Sequence, residues 1–506
     1  MKRTLVSRLR LAWVTTLLAS CAGCAVGPNY QRPATPSPAQ FTRTPMTAIA
    51  GSDSSRPQQL VSGQIIAPTW WQVFGSDALN ERIQRALARN PDIDAATAAL
   101  RQAQENIAAQ RASFFPSAQV SYAPSRQRDA VGTLSPTLTS NATYYTLHTA
   151  QLNIGFAPDV FGLNRRSVES LQAQADNQRF QLEAARLSLA SNVVNAAIQE
   201  ASLHAQIEAT EAVIAAQTRA LTILRDQSRL GYASALDVAA QESALAQARQ
   251  ALPGLQKQLE QNRDLLAVLC GDTPDQAGAP QFELKNFTLP ATLPLSLPSQ
   301  LVEQRPDVRA AEANVHAASA QVGVALANRL PQFTLSGAYG GSSTSFARMF
   351  SDDNVFWTLA GSVTQSVFDF GALRHRQRAA EAALQQSAAQ YRSVVLGAFQ
   401  NVADVLHAID TDASACGAAD DAERAAAHTL DLTQKQQQLG YVAVLGLINA
   451  QQAYQQARMG SIQAQASRLA DTAALFQALG GGWWNKGNTP LPATGAHLAT
   501  SPSRSE

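Results

Sequence analysis

Charged side chains are scarce in this sequence. Asp, Glu, Lys and Arg make up 15% of its 506 residues, against about 25% in an ordinary soluble protein. The 39 basic and 38 acidic residues nearly cancel, which argues against a nucleic-acid-binding protein with its strongly basic face. Something other than charge must therefore cover much of the molecule.

Long apolar runs and cysteines are also rare. Beyond the N-terminus no run reaches the roughly 18 apolar residues that a spanning helix needs, so a helical membrane protein is excluded. Of the four cysteines, Cys270 and Cys416 fit neither a zinc site nor a disulfide framework, and we expect free, buried thiols. No spacing of His, Asp or Glu predicts a metal site, and no constellation of residues predicts an enzyme.

The N-terminus has the pattern of a lipoprotein signal peptide. Four basic residues precede the apolar stretch 11–19, which is too short for a spanning helix. Leu18-Ala19-Ser20-Cys21 then resembles a lipobox, whose cysteine becomes the acylated first residue of the mature chain. Cys24 is a second candidate three residues later. The choice between Cys21 and Cys24 stays open.

The rest of the chain is a tandem duplication. Two motifs recur at an offset of 215 residues and three at an offset of 209. The first set is Asn90-Pro91-Asp92 with Arg305-Pro306-Asp307 and Phe115-Pro116 with Leu330-Pro331; the second is Phe161-Gly162 with Phe370-Gly371, Gly231-Tyr232 with Gly440-Tyr441, and Leu269-Cys270-Gly271 with Ala478-Leu479-Gly480. Because the offset falls by 6 after Pro116, we expect a longer surface loop in the first copy. Two large copies indicate gene duplication rather than a short-period solenoid.

Each copy is predicted to be a helix, a β-hairpin, a very long helix, a tight turn and a second long helix. The first helix runs near Asp77 to Ala112 and ends before Phe115-Pro116, since proline disfavours helix in the preceding residue. Period-two alternation follows, typical of strands whose faces meet different media. From Gly162 to Leu230 there is no proline, and apolar residues follow the spacing of a coiled-coil seam, which Thr210 and Gln217 interrupt.

These patterns give the domain boundaries. The predicted segments are the signal peptide 1–24, an extended Pro-rich strap 25–68, repeat one 69–271 with its hairpin at about 117–160, a linker 272–299, repeat two 300–482 with its hairpin at about 332–369, and a flexible tail 483–506. Two hairpins supply four amphipathic strands, whereas a membrane barrel needs at least about eight to close. One chain therefore cannot close a barrel. A trimer would supply twelve strands, but a dimer also satisfies this arithmetic.

The chain resembles TolC-like outer-membrane factors, specifically their lipoprotein branch, over nearly its whole length. The matching motifs are Ala25-Val26-Gly27-Pro28-Asn29-Tyr30, Trp70-Trp71 with Phe74, Asn90-Pro91-Asp92, Arg305-Pro306-Asp307-Val308, Phe368-Asp369-Phe370-Gly371 and Gly480-Gly481-Gly482-Trp483. The resemblance implies a mainly α fold with a membrane β-barrel. A homotrimer would form a 12-strand β-barrel in the outer membrane of a Gram-negative bacterium and an α-helical barrel in the periplasm. In that branch the acylated cysteine abuts the Val-Gly-Pro segment, which favours Cys24.

The resemblance also implies the function. Such trimers are not enzymes: they are exit ducts of tripartite pumps, and they conduct drugs or other small molecules from an inner-membrane transporter of the RND or MFS type. A periplasmic adaptor (membrane fusion protein) docks on the helical tips, the barrel contacts outer-membrane lipid, and no cofactor is implied beyond the covalent lipid. The alternative is an exit channel for type I-like protein secretion. A periplasmic adaptor or structural coiled-coil lipoprotein fits less well, because an adaptor would carry one helical hairpin.

The candidate site is the periplasmic gate at the two turns between long helices. In copy one, Gly231-Tyr232 leads to Asp237, which matches the acidic gate position of the family. In copy two, family members often carry Asp six and nine residues after the turn glycine, where this chain has Gly446 and Asn449. Val442 stands where a gate arginine occurs. The usual acidic, salt-bridged gate is therefore expected to be weakened in copy two.

We expect the gate of copy two to close by apolar packing beside Gly440. The residues concerned are Tyr441, Val442, Val444 and Leu445, with Gly446 allowing a bend. The alternative is that these are ordinary seam and turn residues. A cluster of acidic residues between Asp404 and Asp421 either lines the tunnel or lies on a solvated outer face.

Overall fold

The computed structural model describes residues 25–36, 38–44, 46, 48–49, 58–128, 144–276 and 282–485. Three predicted features lie outside these residues: the signal peptide with Cys21 and Cys24, the long loop of the first hairpin (129–143), and most of the tail.

The described residues form helices and strands in two similar series. The first series is β1 (Ala48–Ile49), β2 (Gln58–Ser62), α1 (Asp77–Arg89), α2 (Pro91–Ala112), β3 (Ser117–Arg128), β4 (Tyr144–Phe156), α3 (Leu163–Arg229) and α4 (Ala235–Leu269); the second is β5 (Thr292–Leu295), α5 (Pro298–Gln304), α6 (Pro306–Ala327), β6 (Gln332–Ser343), β7 (Val355–Thr364), α7 (Ala372–Gln438) and α8 (Val444–Ala478). Both copies therefore run through helices, a β-hairpin, a long helix, a turn and a second long helix, as predicted.

The prediction of one helix from Asp77 to Ala112 is wrong at Asn90. This residue has φ −69° and ψ 125°, an extended conformation that ends α1 and precedes α2. The ring of Pro91 disfavours helical geometry in the residue before it, while proline itself is well suited to the first turn of the next helix. The side-chain oxygen of Asn90 then accepts from the N–H of Asp92 at 2.9 Å. Copy two has the same break, between α5 and α6.

The long helices have equal lengths in the two copies. Helices α3 and α7 each contain 67 residues, and α4 and α8 each contain 35. At about 1.5 Å per residue, the longer pair each extend on the order of 100 Å. The predicted interruptions of the seam, Thr210 and Gln217, are fully buried with it. Buried polar side chains usually have hydrogen-bond partners, and Thr210 Oγ1 donates to Gln206 O at 2.8 Å, whereas Oε1 of Gln217 is buried and has no partner among the described residues.

The strap and the linker carry a small sheet that the sequence did not predict. Strand β1 pairs antiparallel with β2, and β2 pairs parallel with β5 from the linker. Gln58 on β2 is fully buried, and its Oε1 accepts from Arg468 Nη2 of α8 at 3.2 Å. The two segments are thus built into the fold as strands.

The four long strands form one sheet in the order β3-β4-β6-β7, with antiparallel neighbours. One face carries exposed large apolar side chains on all four strands, among them Val120, Ile154, Leu335 and Leu359. Alternation with polar residues places these side chains together, because successive residues of a strand point to opposite faces.

The chain divides into two compact units. The sheet unit comprises the described residues of the ranges 1–34, 98–179 and 310–392, and it contains the whole four-stranded sheet. The hairpin unit comprises those of the ranges 35–97, 180–309 and 393–506, and it contains both turns between long helices and the small sheet.

The start of the strap is fixed on the sheet unit. Arg166 is buried, and its Nε donates to Val26 O at 3.0 Å. The ring of Tyr30 stacks on that of His316 with centroids 4.4 Å apart, and Tyr30 Oη donates to Glu312 at 3.2 Å. The residues that directly follow the candidate acylation sites are therefore held by side chains of α3 and α6.

Cys270 and Cys416 are free and buried, as the sequence predicts. Burial raises the pKa of both thiols. In the part of the chain that the structure describes, no helix has the length and hydropathy to cross a membrane.

Candidate gate at the two helical turns

Each pair of long helices is joined by a turn with the same backbone geometry. In the first turn (residues 230–234) Gly231 has φ 81°, and the N–H of Tyr232 donates to a carbonyl five residues back at 2.8 Å. In the second turn (residues 439–443) Gly440 has φ 79°, and the corresponding distance from Tyr441 is 2.9 Å. Both are Schellman endings, in which a left-handed residue favours glycine. The backbone therefore does not distinguish the two turns.

A capping box fixes the start of α4 after the first turn. Ser234 Oγ accepts from the N–H of Asp237 at 3.1 Å, and Asp237 Oδ2 accepts from the N–H of Ser234 at 3.2 Å. The same carboxylate oxygen accepts from Ser234 Oγ at 2.7 Å. Such a box satisfies two N–H groups that the first helical turn would leave without partners. Asp237, predicted as the acidic gate position, thus has a local structural role.

The start of α8 after the second turn has no such cap. The offset of 209 places Ala443 and Gly446 where copy one has Ser234 and Asp237, and neither side chain can accept a hydrogen bond. Ala443 is the N-cap residue and makes no side-chain cap. A Cβ at position 446 would lie 2.7 Å from Val442 Cγ1, so the valine side chain lies over the glycine. Gly446 occupies the first turn of the helix, where glycine costs about 1 kcal/mol relative to alanine.

The ion pairs that link the two helices of each hairpin lie at different distances from the turns. In the second hairpin Arg458 of α8 donates to Glu423 of α7 at 2.7 Å, about 17 residues from the turn; in the first hairpin one pair lies closer to the turn. Arg225 on α3 donates to Glu242 on α4 at 2.6 Å. The equivalent residues of copy two are Gln434 and Gln451. Oε1 of Gln451 is buried and has no hydrogen-bond partner among the described residues. Both glutamines line a cavity of about 340 Å³ between α3, α7 and α8. The second hairpin is therefore held less firmly near its turn than the first.

The side chains predicted to close the gate lie at or near the surface of the chain. Tyr441 is 81% exposed and Leu445 is 58% exposed, whereas Val442 and Val444 are half-buried. Tyr232 at the first turn is 83% exposed. These side chains do not form a closed apolar cluster within one chain, so their packing as a gate stays a prediction that requires other subunits.

Asn449, the other predicted gate residue of copy two, is exposed on α8. It stands at a position where the family often carries aspartate, and its amide brings no charge to the turn. The sequence reasoning missed Ser234 and the Arg225–Glu242 pair. A Ser-x-x-Asp pattern at a helix start and the offset of 209 would have identified both.

A carboxyl pair joins α7 and α8 farther from the turn. The side chains of Asp412 and Asp471 are hydrogen-bonded to each other. Burial is the larger cause and the neighbouring carboxyl of Asp412 the smaller one, and together they raise the pKa of Asp471 to about 6. The equivalent residues of copy one are Leu203 and Asn262. Two carboxylates at close range repel each other when both are ionised.

The remaining residues of the acidic cluster do not share one environment. Asp420 Oδ1 accepts from Ser461 Oγ of α8 at 3.0 Å, whereas Asp404 and Asp421 are exposed. Among the described residues, no group of three or more His, Cys, Asp or Glu side chains is placed to hold a metal ion.

Comparisons with known proteins agree over nearly the whole chain. The chain is 28% identical over 451 residues to the pyoverdine export outer membrane protein OpmQ of Pseudomonas putida, covering 89% of this chain and 94% of the relative. It is 29% identical over 489 residues to the toluene efflux pump outer membrane protein TtgF of P. putida, covering 94% and 98%. The solved outer-membrane channel OprN superposes with a TM-score of 0.79 at 25% identity, over 91% of this chain and all of that one.

The likeness to solved outer-membrane channels confirms the predicted fold class. The family model for outer membrane efflux proteins matches residues 82–272 and 297–481, one match in each copy of the duplication. These ranges span both hairpins and both helical turns. The chain therefore belongs to the outer membrane efflux protein family and is an outer-membrane efflux channel.

Proposed function

We propose that three copies of this chain form the exit duct of a tripartite efflux pump. The observation that carries the proposal is that one chain contains both a four-stranded sheet with an apolar face and two helical hairpins with arms of 67 and 35 residues. Twelve strands from three chains satisfy the requirement that a membrane sheet leave no open edge. The helices give a duct long enough to reach across the periplasm.

The cargo is a class of small molecules delivered by an inner-membrane transporter of the RND or MFS type. The relatives named for pyoverdine export and toluene efflux support a small-molecule cargo rather than a protein. The exposed side chains of the first turn, Tyr232 and Leu236, offer an apolar surface on which a periplasmic adaptor docks. Exposed apolar patches of this kind are typical of protein contact sites.

A covalent lipid on Cys21 or Cys24 anchors the chain. Support comes from the fixed strap, since Arg166 and His316 hold Val26 and Tyr30, which lie two and six positions after Cys24. Mass spectrometry of the mature N-terminus in Cys21→Ser and Cys24→Ser variants identifies the acylated residue. The lipid is retained in one variant and lost in the other.

The second turn is the moving part of the gate. Its helix start lacks both the capping box and the cross-helix ion pair of the first turn, which together favour one fixed arrangement. In the closed trimer, Tyr441, Val442, Val444 and Leu445 of three subunits pack against one another. Blockage by millimolar divalent cations in single-channel recordings tests this arrangement: weak blockage is expected, and blockage as strong as in acidic-gate relatives contradicts it.

Deletion of the gene tests the function as a whole. Sensitivity to several unrelated small toxic compounds is expected to rise, and the full chain supplied in trans should restore resistance. No change in sensitivity, with the partner pump expressed and the trimer present in the outer membrane of the parent strain, contradicts the proposal. A defect confined to one secreted protein would favour the type I-like secretion alternative.

A further inference from the structure

The outer strands of the four-stranded sheet each have one free edge. Among the described residues, β3 pairs only with β4, and β7 pairs only with β6. In a bilayer the N–H and C=O groups of such edges must find partners, because lipid offers none. In a closed ring of identical subunits related by rotation, the β7 edge of one subunit must pair with the β3 edge of the next. The pairing of these two edges rests on the trimer of the proposed function.

The duplication maps the first hairpin onto the second with its register intact. The offset of 215 carries β3, Ser117–Arg128, onto β6, Gln332–Ser343, end to end. The offset of 209 carries Gly155 on β4 to Thr364 on β7. Ser117 is paired with Gly155 in the first hairpin, and their images Gln332 and Thr364 are paired in the second. The same two offsets therefore reproduce an observed strand pairing.

The junction between the two hairpins supplies the template for the junction between subunits. Strand β4 pairs with β6 so that Ile154 lies opposite Gly337. The offset of 209 carries Ile154 to Val363 on β7, and the offset of 215 relates Gly337 to Tyr122 on β3. We propose that β7 of one subunit pairs antiparallel with β3 of the next in the register that sets Val363 opposite Tyr122 of the partner subunit.

The exposed side chains agree with this register. Val363, Leu359 and Trp357 of β7 alternate on one face and are 63%, 77% and 74% exposed. The register keeps them on the face of the partner subunit's Tyr122, so the apolar band continues from one subunit to the next. A slip by one residue would send every side chain of β3 to the opposite face.

One arginine on the edge strand also gains a partner. The register sets Trp357 opposite Arg128 of the partner subunit. Within one chain, the guanidinium of Arg128 already lies 5.2 Å from the ring centroid of Tyr144. A second aromatic ring across the subunit boundary provides a further cation–π contact. A slip by two residues in one direction sets Trp357 opposite Arg126 of the partner subunit and keeps a Trp–Arg pair, so experiment must separate these registers.

Disulfide cross-linking of double cysteine variants in the full-length, membrane-embedded trimer tests the register. Ala360→Cys combined with Ser125→Cys is in register, whereas Ala360→Cys with Ala123→Cys or with Gln127→Cys is displaced by two residues in either direction. A displacement of two residues moves the partner Cα by about 7 Å, beyond the reach of a disulfide. Leu359→Cys with Arg126→Cys repeats the test on the other face. The native Cys270 and Cys416 are buried, and the single cysteine variants serve as controls.

We expect covalent trimers to form at least about tenfold faster in the two in-register variants than in the displaced ones. Faster cross-linking of either displaced variant overturns the register. A native trimer in which none of the pairs cross-links shows that β7 and β3 do not meet. Absence of any trimer, measured by native mass on the same membranes before oxidation, counts instead against the proposed duct.

Discussion

The two helical hairpins of this chain share a backbone but differ in what holds their turns. Both have arms of 67 and 35 residues and the same Schellman ending at a left-handed glycine. Beside the first turn, Ser234 and Asp237 form a capping box and Arg225 pairs with Glu242. The equivalent positions beside the second turn carry Ala443, Gly446, Gln434 and Gln451 and make none of these interactions. The two copies thus share their backbone geometry and differ in the local restraints at the turn, and the proposed assignment of a fixed wall and a moving gate rests on that difference.

Grafting the first cap onto the second turn should have the largest effect. Val442→Ala with Ala443→Ser and Gly446→Asp gives this turn the equivalents of Ala233, Ser234 and Asp237, which adds a capping box and removes a helical glycine, together worth about 2 kcal/mol. The change at Val442 is needed because its Cγ1 would lie 2.7 Å from a Cβ at position 446. If opening rearranges the first turn of α8, the open probability of single channels should fall on the order of tenfold. Ala233→Ser, which adds a hydroxyl beside the turn that is already capped, is the control, and Val442→Ala alone is a second control. An unchanged open probability in the grafted variant would exclude α8 as the moving part.

The carboxyl pair of the second hairpin should make its stability depend on pH. Burial and Asp412 raise the pKa of Asp471 to about 6, above the value of about 3.9 in an unfolded chain. The folded state therefore binds more protons between these values, and this contribution to stability is lost as pH rises from about 4 to about 6. Asp471→Asn should flatten the pH dependence of the urea midpoint followed by helical circular dichroism.

Asp404→Asn is the matched control for that pH experiment, since Asp404 is an exposed carboxylate on α7, the helix that carries Asp412. An equal flattening in both variants would assign the effect to the net charge of the second hairpin. Copy one carries Leu203 and Asn262 at the equivalent positions, so the contribution of this carboxyl pair should be confined to the second hairpin. In the first hairpin, burial raises the pKa of Glu200 on α3, and that separate contribution should be unchanged in Asp471→Asn.

Removing the cap of the first turn should weaken that turn without opening the channel. Ser234→Ala is expected to cost about 1 kcal/mol of local stability and to speed hydrogen exchange at the start of α4. The open probability of single channels should stay unchanged if the first turn belongs to the fixed wall, as proposed. Ala235→Ser, at the neighbouring position, serves as the control. An increase in open probability in Ser234→Ala would place the gate at both turns.

The ion pair beside the first turn should have the smallest effect. Arg225 and Glu242 are both partly exposed, and exposed pairs contribute about 0.2–1 kcal/mol. A double-mutant cycle of Arg225→Gln and Glu242→Gln, read from hydrogen exchange of α4, should give a coupling energy in this range. A coupling energy of zero would leave the capping box as the sole difference between the turns.

The order of the elements could be predicted from the sequence because periodicity and duplication agree. Alternation identified four strands, and the proline-free stretch from Gly162 to Leu230 identified α3, although α4 continues through Pro253. The break at Asn90 was missed because Ala- and Gln-rich flanks on both sides favour helix, and Pro91 is compatible with either a break or a helix start. The pairing of β2 with β5 was also missed. These short strands lie more than 200 residues apart, and Pro294 in β5 obscures the strand pattern.

The candidate site was predicted in position but not in detail. The glycine-tyrosine repeats located both turns, since only a left-handed residue ends each helix in this way. Asp237 was assigned to an acidic gate through resemblance, whereas the structure places its carboxylate in a capping box. An aspartate in the first turn of a helix forms a capping box only where the serine three residues earlier lies within hydrogen-bond distance. The sequence does not give that distance.

Hydrogen exchange at the two turns of the unmodified trimer tests the central claim most directly. After correction for intrinsic rates, the amides of residues 445–448 should exchange about tenfold faster than those of residues 236–239, because the missing cap and ion pair amount to more than about 1 kcal/mol of local stability. Equal rates, or slower exchange at the second turn, would contradict the assignment of the second hairpin as the moving part of the gate.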